Sequence, residues 1–149
     1  MATKPASASP PSSSCTALRI RKAARRVSQI YDQHLESVGL TITQYGLLGH
    51  LKAFDGIGIG ALAEKLLMDP TTLTRNVRPL ERLGFVVLAP DPHDKRSRGL
   101  HLTDKGRDAY AEARPAWAKA QRQIEQTLGA DDASALNAAL DRMLDKLTG

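Results

Sequence analysis

Cysteine is nearly absent from this chain. Cys15 is the only thiol, so no disulfide can form within the molecule. The four histidines are scattered, and no Cys/His cluster has the spacing of a structural zinc site. Aromatic residues make up 4% of the sequence, so the core must be built of Leu, Ala, Val and Ile. No apolar run reaches membrane-spanning length. The opening segment, MATKPASASPPSSS, lacks the apolar block of a secretory leader and reads as a disordered Pro/Ser/Ala tail over residues 1–14. These absences lead to the expectation of a cytoplasmic protein that needs neither metal nor cofactor. The signatures of catalysis are missing as well: there is no glycine-rich phosphate loop, no HExxH, no nucleophile elbow and no CxxC. An enzyme is not expected.

What is present is positive charge, unevenly placed. The net charge is +5. Residues 15–56 carry 6 basic and 3 acidic groups, residues 57–107 carry 9 and 6, and residues 108–149 carry 5 and 7. A basic front and middle with an acidic tail suits a polyanion-binding centre flanked by segments with another task.

The periodicity is mostly helical. Thr16–Ser37 has an apolar face of Leu18, Ala23 or Ala24, Val27, Ile30 or Tyr31, and Leu35, with Arg19, Arg21, Lys22, Arg25 and Arg26 crowding its first half. Gly39 stops this helix. The Thr41-x-x-Gln44 spacing is a capping box that opens a second helix to about Ala53. After the breaker-rich DGIGIG, where Ile57 suits a very short strand, Ala61–Leu67 reads as a short helix with Leu62, Ala63 and Leu66 inward. A tight turn leads to MDPTTLTRNVRPLERLG. Asp69 and Pro70 start that helix, and Leu73, Val77 and Leu80, extended by Leu83, form its apolar stripe. Thr71, Arg75, Arg78 and Arg82 share another stripe. Two short helices joined by a few residues form a helix-turn-helix pattern. FVVLAP and LHLT flank a charged turn and predict a β-hairpin wing. A long helix from Thr103 or Asp104 follows, with a kink expected at Pro115, and then a last helix over Ala133–Leu147. That last helix has one face of Leu136, Leu140, Met143, Leu144 and Leu147.

These features predict a mainly α fold with a small β-hairpin wing. A winged helix-turn-helix lobe over 41–103 lies between dimerisation helices at 15–40 and 104–149. Short hydroxyl and guanidinium side chains are what a major-groove helix needs: Thr offers a hydroxyl and a methyl to base edges, and Arg reaches guanine or phosphate. Thr71, Thr72, Thr74, Arg75, Arg78 and Arg82 are the candidate contacts on that helix. On the wing, Asp94 two residues before Arg96 is placed to orient its guanidinium for a minor groove, and Lys95 and Arg98 add phosphate attraction. His93 sits at the wing base.

The motifs TLTRNVRPLERLGFV at 72–86 and DPHDKRSRGLHLTDKG at 91–106 resemble those of the MarR family of winged-helix regulators. IYDQHL and the Thr41–Tyr45 turn precede them in the family's order. The resemblance implies a homodimer interlocked through its first and last helices, and a pseudo-palindromic operator in double-stranded DNA. It implies a repressor released by a small aromatic or lipophilic effector. Tyr31, His34, Tyr45 and His50 are the candidate effector-pocket residues, each of which also suits ordinary packing. The peroxide-sensing branch of the family carries a reactive cysteine near the start of its first helix, which makes Cys15 a redox candidate. Ile42 stands where that branch has a tyrosine. The rival readings are a redox regulator using Cys15, a non-specific architectural DNA-binding protein, and a winged helix that binds protein.

Overall fold

The computed structural model describes residues 14–149, so the expected tail lies outside the described residues except for Ser14. Helix α1 spans Thr16–Leu35 and runs into a 3-10 turn at Glu36–Val38. Gly39 ends it with φ +73, a conformation costly for any residue with a Cβ. Helix α2 spans Ile42–Ala53 behind the complete Thr41–Gln44 capping box. Asp32 of α1 accepts the Ile42 amide at 2.8 Å, which ties the two helices together at their junction.

Helix α3 spans Ile59–Lys65, two residues earlier than its periodicity suggests. The reason is at its end. Leu67 adopts φ +52, and the Met68 amide turns back to the Ala63 carbonyl at 2.9 Å, so the last apolar residues belong to a turn. Helix α4 spans Pro70–Arg82, with the Asp69 carboxylate accepting the Thr72 amide. It continues through Pro79, which removes only the bond to the Arg75 carbonyl.

Strands β1 (Val86–Pro90) and β2 (Arg98–Leu102) pair antiparallel, from Val86 opposite Leu102 to Pro90 opposite Arg98. Ile57 adds the expected short bridge, to Leu100. Helix α5 spans Asp104–Leu128 as one helix through Pro115. Helix α6 spans Ala130–Thr148, three residues earlier than expected. Only Gly129 breaks the chain there, and Asp131 and Asp132 fall in the first turn, where the helix dipole favours acids.

Leu48, Leu51, Leu62, Leu73, Val77, Leu80, Val86 and Leu100 are fully buried and form one core beneath α2, α3, α4 and the hairpin. The terminal helices are different. α1 lies along α5, joined by Tyr31–Gln121 and by His34–Gln123 at 2.7 Å. Leu18, Ile20, Leu136, Leu144 and Leu147 stay exposed. Leu18, assigned to the apolar face from sequence, lies one helical turn from Lys22 and two from Arg25, on the basic side. Ile20, in line with Ala24, Val27 and Tyr31, takes its place. Among the described residues, no helix is long and apolar enough to cross a membrane.

Candidate nucleic-acid interface

The α4 surface is built by spacing. With Leu73, Val77 and Leu80 turned into the core, Thr71, Arg75, Arg78 and Arg82 are left on the outside, all exposed. Thr72 is exposed beside them. Thr74 is half-buried, and its hydroxyl donates to the Pro70 carbonyl at 2.9 Å. That leaves its methyl and oxygen lone pairs for a ligand. Among the described residues no acid pairs with Arg75, Arg78 or Arg82.

The wing tip is folded by its own carboxylates. Asp91 accepts the His93 amide at 2.8 Å. Asp94 accepts the Arg96 amide at 3.0 Å with one oxygen and the Ser97 hydroxyl at 3.2 Å with the other. The Ser97 carbonyl closes the tip by accepting the Asp91 amide at 2.9 Å. This corrects the expected Asp94–Arg96 contact: the carboxylate holds Arg96 by its backbone, not by its guanidinium. A backbone amide two residues on is the near and rigid partner, as in an Asx turn, whereas the guanidinium ends a long flexible chain. Lys95, Arg96, Arg98 and His93 are therefore exposed cations or potential cations around a tip whose acids are occupied by folding it.

The wing is seated by contacts that need glycine and threonine. The Thr103 hydroxyl donates to the Gly84 carbonyl at 2.6 Å and accepts the Gly106 amide at 3.0 Å. The Thr103 amide donates to the Phe85 carbonyl at 3.0 Å. A Cβ on Gly106 would collide with that same carbonyl, and one on Gly99 with the Gly56 carbonyl. The sequence LTDKG is thus the joint between α4, the hairpin and α5.

The four effector-pocket candidates do not converge. Tyr45 is buried and stacks on Tyr110, with ring centroids 4.7 Å apart, and on Trp117 at 6.1 Å. Burial, and then the hydrogen bond with Tyr110, push the Tyr45 phenol well above its usual range. Among the described residues His50 bonds only within its own helix; its Nδ1 lies 2.8 Å from the Gly46 carbonyl, which makes that nitrogen the N–H donor. Tyr45 and His50 line a crevice of about 320 Å³ with Gly46, Gly49, Ala53, Phe54 and Tyr110. His34 lines a separate hollow of about 340 Å³ beside Glu112, Pro115 and Lys119. Tyr31 lines neither; burial and then the Glu125 charge raise its phenol pKa. Tyr110 and Trp117 escaped the sequence reading. Their seven-residue spacing, which sets both on one face of α5, was the available signal.

Cys15 stands half-exposed at the N-cap of α1 and makes no side-chain cap bond. No group of His, Cys, Asp or Glu among the described residues could hold a metal ion.

Residues 38–97 match the model of the MarR family. The solved structure of the M. tuberculosis transcriptional regulator MosR in complex with DNA is 31% identical. It superposes with a TM-score of 0.70 over 87% of this chain and 98% of that one. The chain belongs to the MarR family. A second DNA complex, that of the transcriptional repressor CouR on a 23-mer duplex, is 29% identical with a TM-score of 0.78 over 86% of this chain and 91% of that one. The transcriptional activatory protein BadR of Rhodopseudomonas palustris is 32% identical over 95 residues, 62% of this chain and 54% of that protein. The chain spans little more than half the length of the curated relatives it matches. The helices and two-stranded hairpin described above are the winged-helix fold of this family's transcriptional regulators.

Proposed function

We propose that this MarR-family protein is a sequence-specific operator-binding transcription regulator that works as a homodimer. The observation that carries this reading is the pairing, on one lobe, of the acid-free Thr71/Arg75/Arg78/Arg82 stripe with a cationic wing tip locked by its own carboxylates. α4 enters the major groove, where Thr71, Thr72, Thr74 and Arg75 meet base edges. Arg78 and Arg82 hold phosphate, and Arg96 reaches the neighbouring minor groove with Lys95 and Arg98 beside it. Exposed leucines on α6 and the open face of α1 support a dimer made by the terminal helices. Two linked lobes then read two half-sites of a pseudo-palindrome.

The regulator acts as a repressor by covering promoter DNA, and release follows from an effector that changes the spacing of the two lobes. The crevice beside Tyr45, Tyr110 and His50 favours a small flat aromatic ligand, since it has stacked rings for walls and Lys52 lies 5.5 Å from the Tyr110 ring centroid. Such a ligand would bear on α2 and α5 together, the helices that join the lobe to the terminal helices.

Footprinting on the DNA upstream of the protein's own coding sequence tests this reading. A short protected palindrome is expected. Uniform, salt-dependent protection with no sequence preference would establish the architectural alternative instead. Transcription in vitro from the protected promoter, with and without the protein, distinguishes repression from activation.

A further inference from the structure

We propose that the terminal helices recognise a second copy of this chain by charge as well as by apolar contact. The basic edge of α1, Arg19 and Arg26, pairs with the acidic edge of the partner's α6. This inference rests on the homodimer reading above and adds to it the rule by which one partner is chosen over another.

Every residue of α1 from Thr16 to Arg26 is exposed, including the apolar line through Ile20 and Ala24. Five of those residues are cations, and none has an acidic partner among the described residues. Arg19 and Arg26 are seven apart, so they stand one above the other alongside the apolar line, at an edge position comparable to the flanking positions of a coiled coil. On α6, Leu136, Leu140 and Leu144 form the open apolar line. Asp141 and Asp145 lie one turn apart along one edge of it, exposed and unpaired among the described residues. Arg142 and Lys146 lie on the back of the helix, away from the line, and its opposite edge is formed by the uncharged Ala139 and Met143. α6 thus has one acidic and one uncharged edge beside its apolar line, whereas the exposed half of α1 is basic on both edges.

Apolar contact alone would accept many partners, because an aliphatic stripe buries equally well against any other. Charge discriminates. A basic α1 is attracted along the Asp141/Asp145 edge and gains no such attraction along the uncharged Ala139/Met143 edge, so one approach is favoured over the other. Two-fold symmetry repeats each contact, which doubles the effect of changing one edge.

Sedimentation of the full chain tests the pairing. Wild type is expected to be a dimer that loosens as salt is raised. Arg19→Glu with Arg26→Glu, and separately Asp141→Lys with Asp145→Lys, should each weaken the dimer by about tenfold or more. Mixed in equal amounts, the two variants should form a heterodimer of near wild-type strength, which also shows that both have folded. Variants that self-associate as tightly as wild type, or a mixture no tighter than either alone, would overturn the charge rule and leave the homodimer standing. A wild-type monomer would overturn both.

Discussion

Gly106 has space for a hydrogen and nothing more, because the Phe85 carbonyl occupies the position of a Cβ. Gly106→Ala should cost about 1–3 kcal/mol of stability, as small-to-large changes in a packed site do. Urea unfolding at matched protein concentration checks this, since dimerisation would shift the midpoint by mass action. An unchanged midpoint would mean that the α4–hairpin–α5 joint yields easily. Arg75 presents the opposite situation. It is exposed and has no ion pair among the described residues, so its removal leaves the fold alone. Arg75→Ala should weaken operator binding by about 1–3 kcal/mol with no change in unfolding. Equal affinity for the operator would remove it from the contact set. The role of Arg75 could be read from sequence, through helical spacing. The carbonyl facing Gly106 could not, because it comes from Phe85, brought close only by the folded hairpin.

The wing tests what a carboxylate does within a basic element. Asp94 holds the Arg96 amide and the Ser97 hydroxyl, so its task is to shape the tip. Asp94→Asn keeps an acceptor but loses half of this bidentate grip. It should weaken DNA binding less than Arg96→Ala does. The salt dependence of binding should drop by about one ion for Arg96→Ala and hold steady for Asp94→Asn. Tighter binding by the Asp94 variant at low salt would mean that repulsion of phosphate outweighs the turn. The element boundaries show where local pattern runs out. α2 and α4 carry explicit caps, and their starts were legible to the residue, whereas the sequence left the α5 cap between Thr103 and Asp104, and Thr103 takes it. α3 and α6 begin behind Gly58 and Gly129, which offer no side-chain cap, and both begin earlier than their apolar periodicity suggests. The crevice beside Tyr45 was less legible still. It depends on α2 meeting α5, and no spacing within either helix states that contact.

At the scale of the whole molecule, a well-packed DNA-binding lobe contrasts with terminal helices left open. Leu140 is half-buried on its own chain, so changing it would disturb α6 packing as well as any partner contact. Leu144 is the cleaner probe: 43% of it is exposed, one turn further along the same face. A fully buried leucine contributes about 1.5–3 kcal/mol, and Leu144 has roughly half of that still to gain on pairing. Two-fold symmetry applies that gain twice. Leu144→Asp forfeits it and also places a charge where water is excluded, which costs far more than the lost contact. The variant should therefore sediment as a monomer at micromolar concentration while its helix content, read by circular dichroism, stays the same. Its operator affinity should then fall by about 10²–10⁴-fold, the advantage that linkage gives two weak sites over one. Leu144 lies on the last helix, outside the winged lobe, so this loss would act through assembly alone. A Leu144→Asp dimer that binds DNA as wild type does would move the interface elsewhere. A wild-type monomer with full affinity would mean that one winged helix suffices, and that the open faces of α1 and α6 serve another partner.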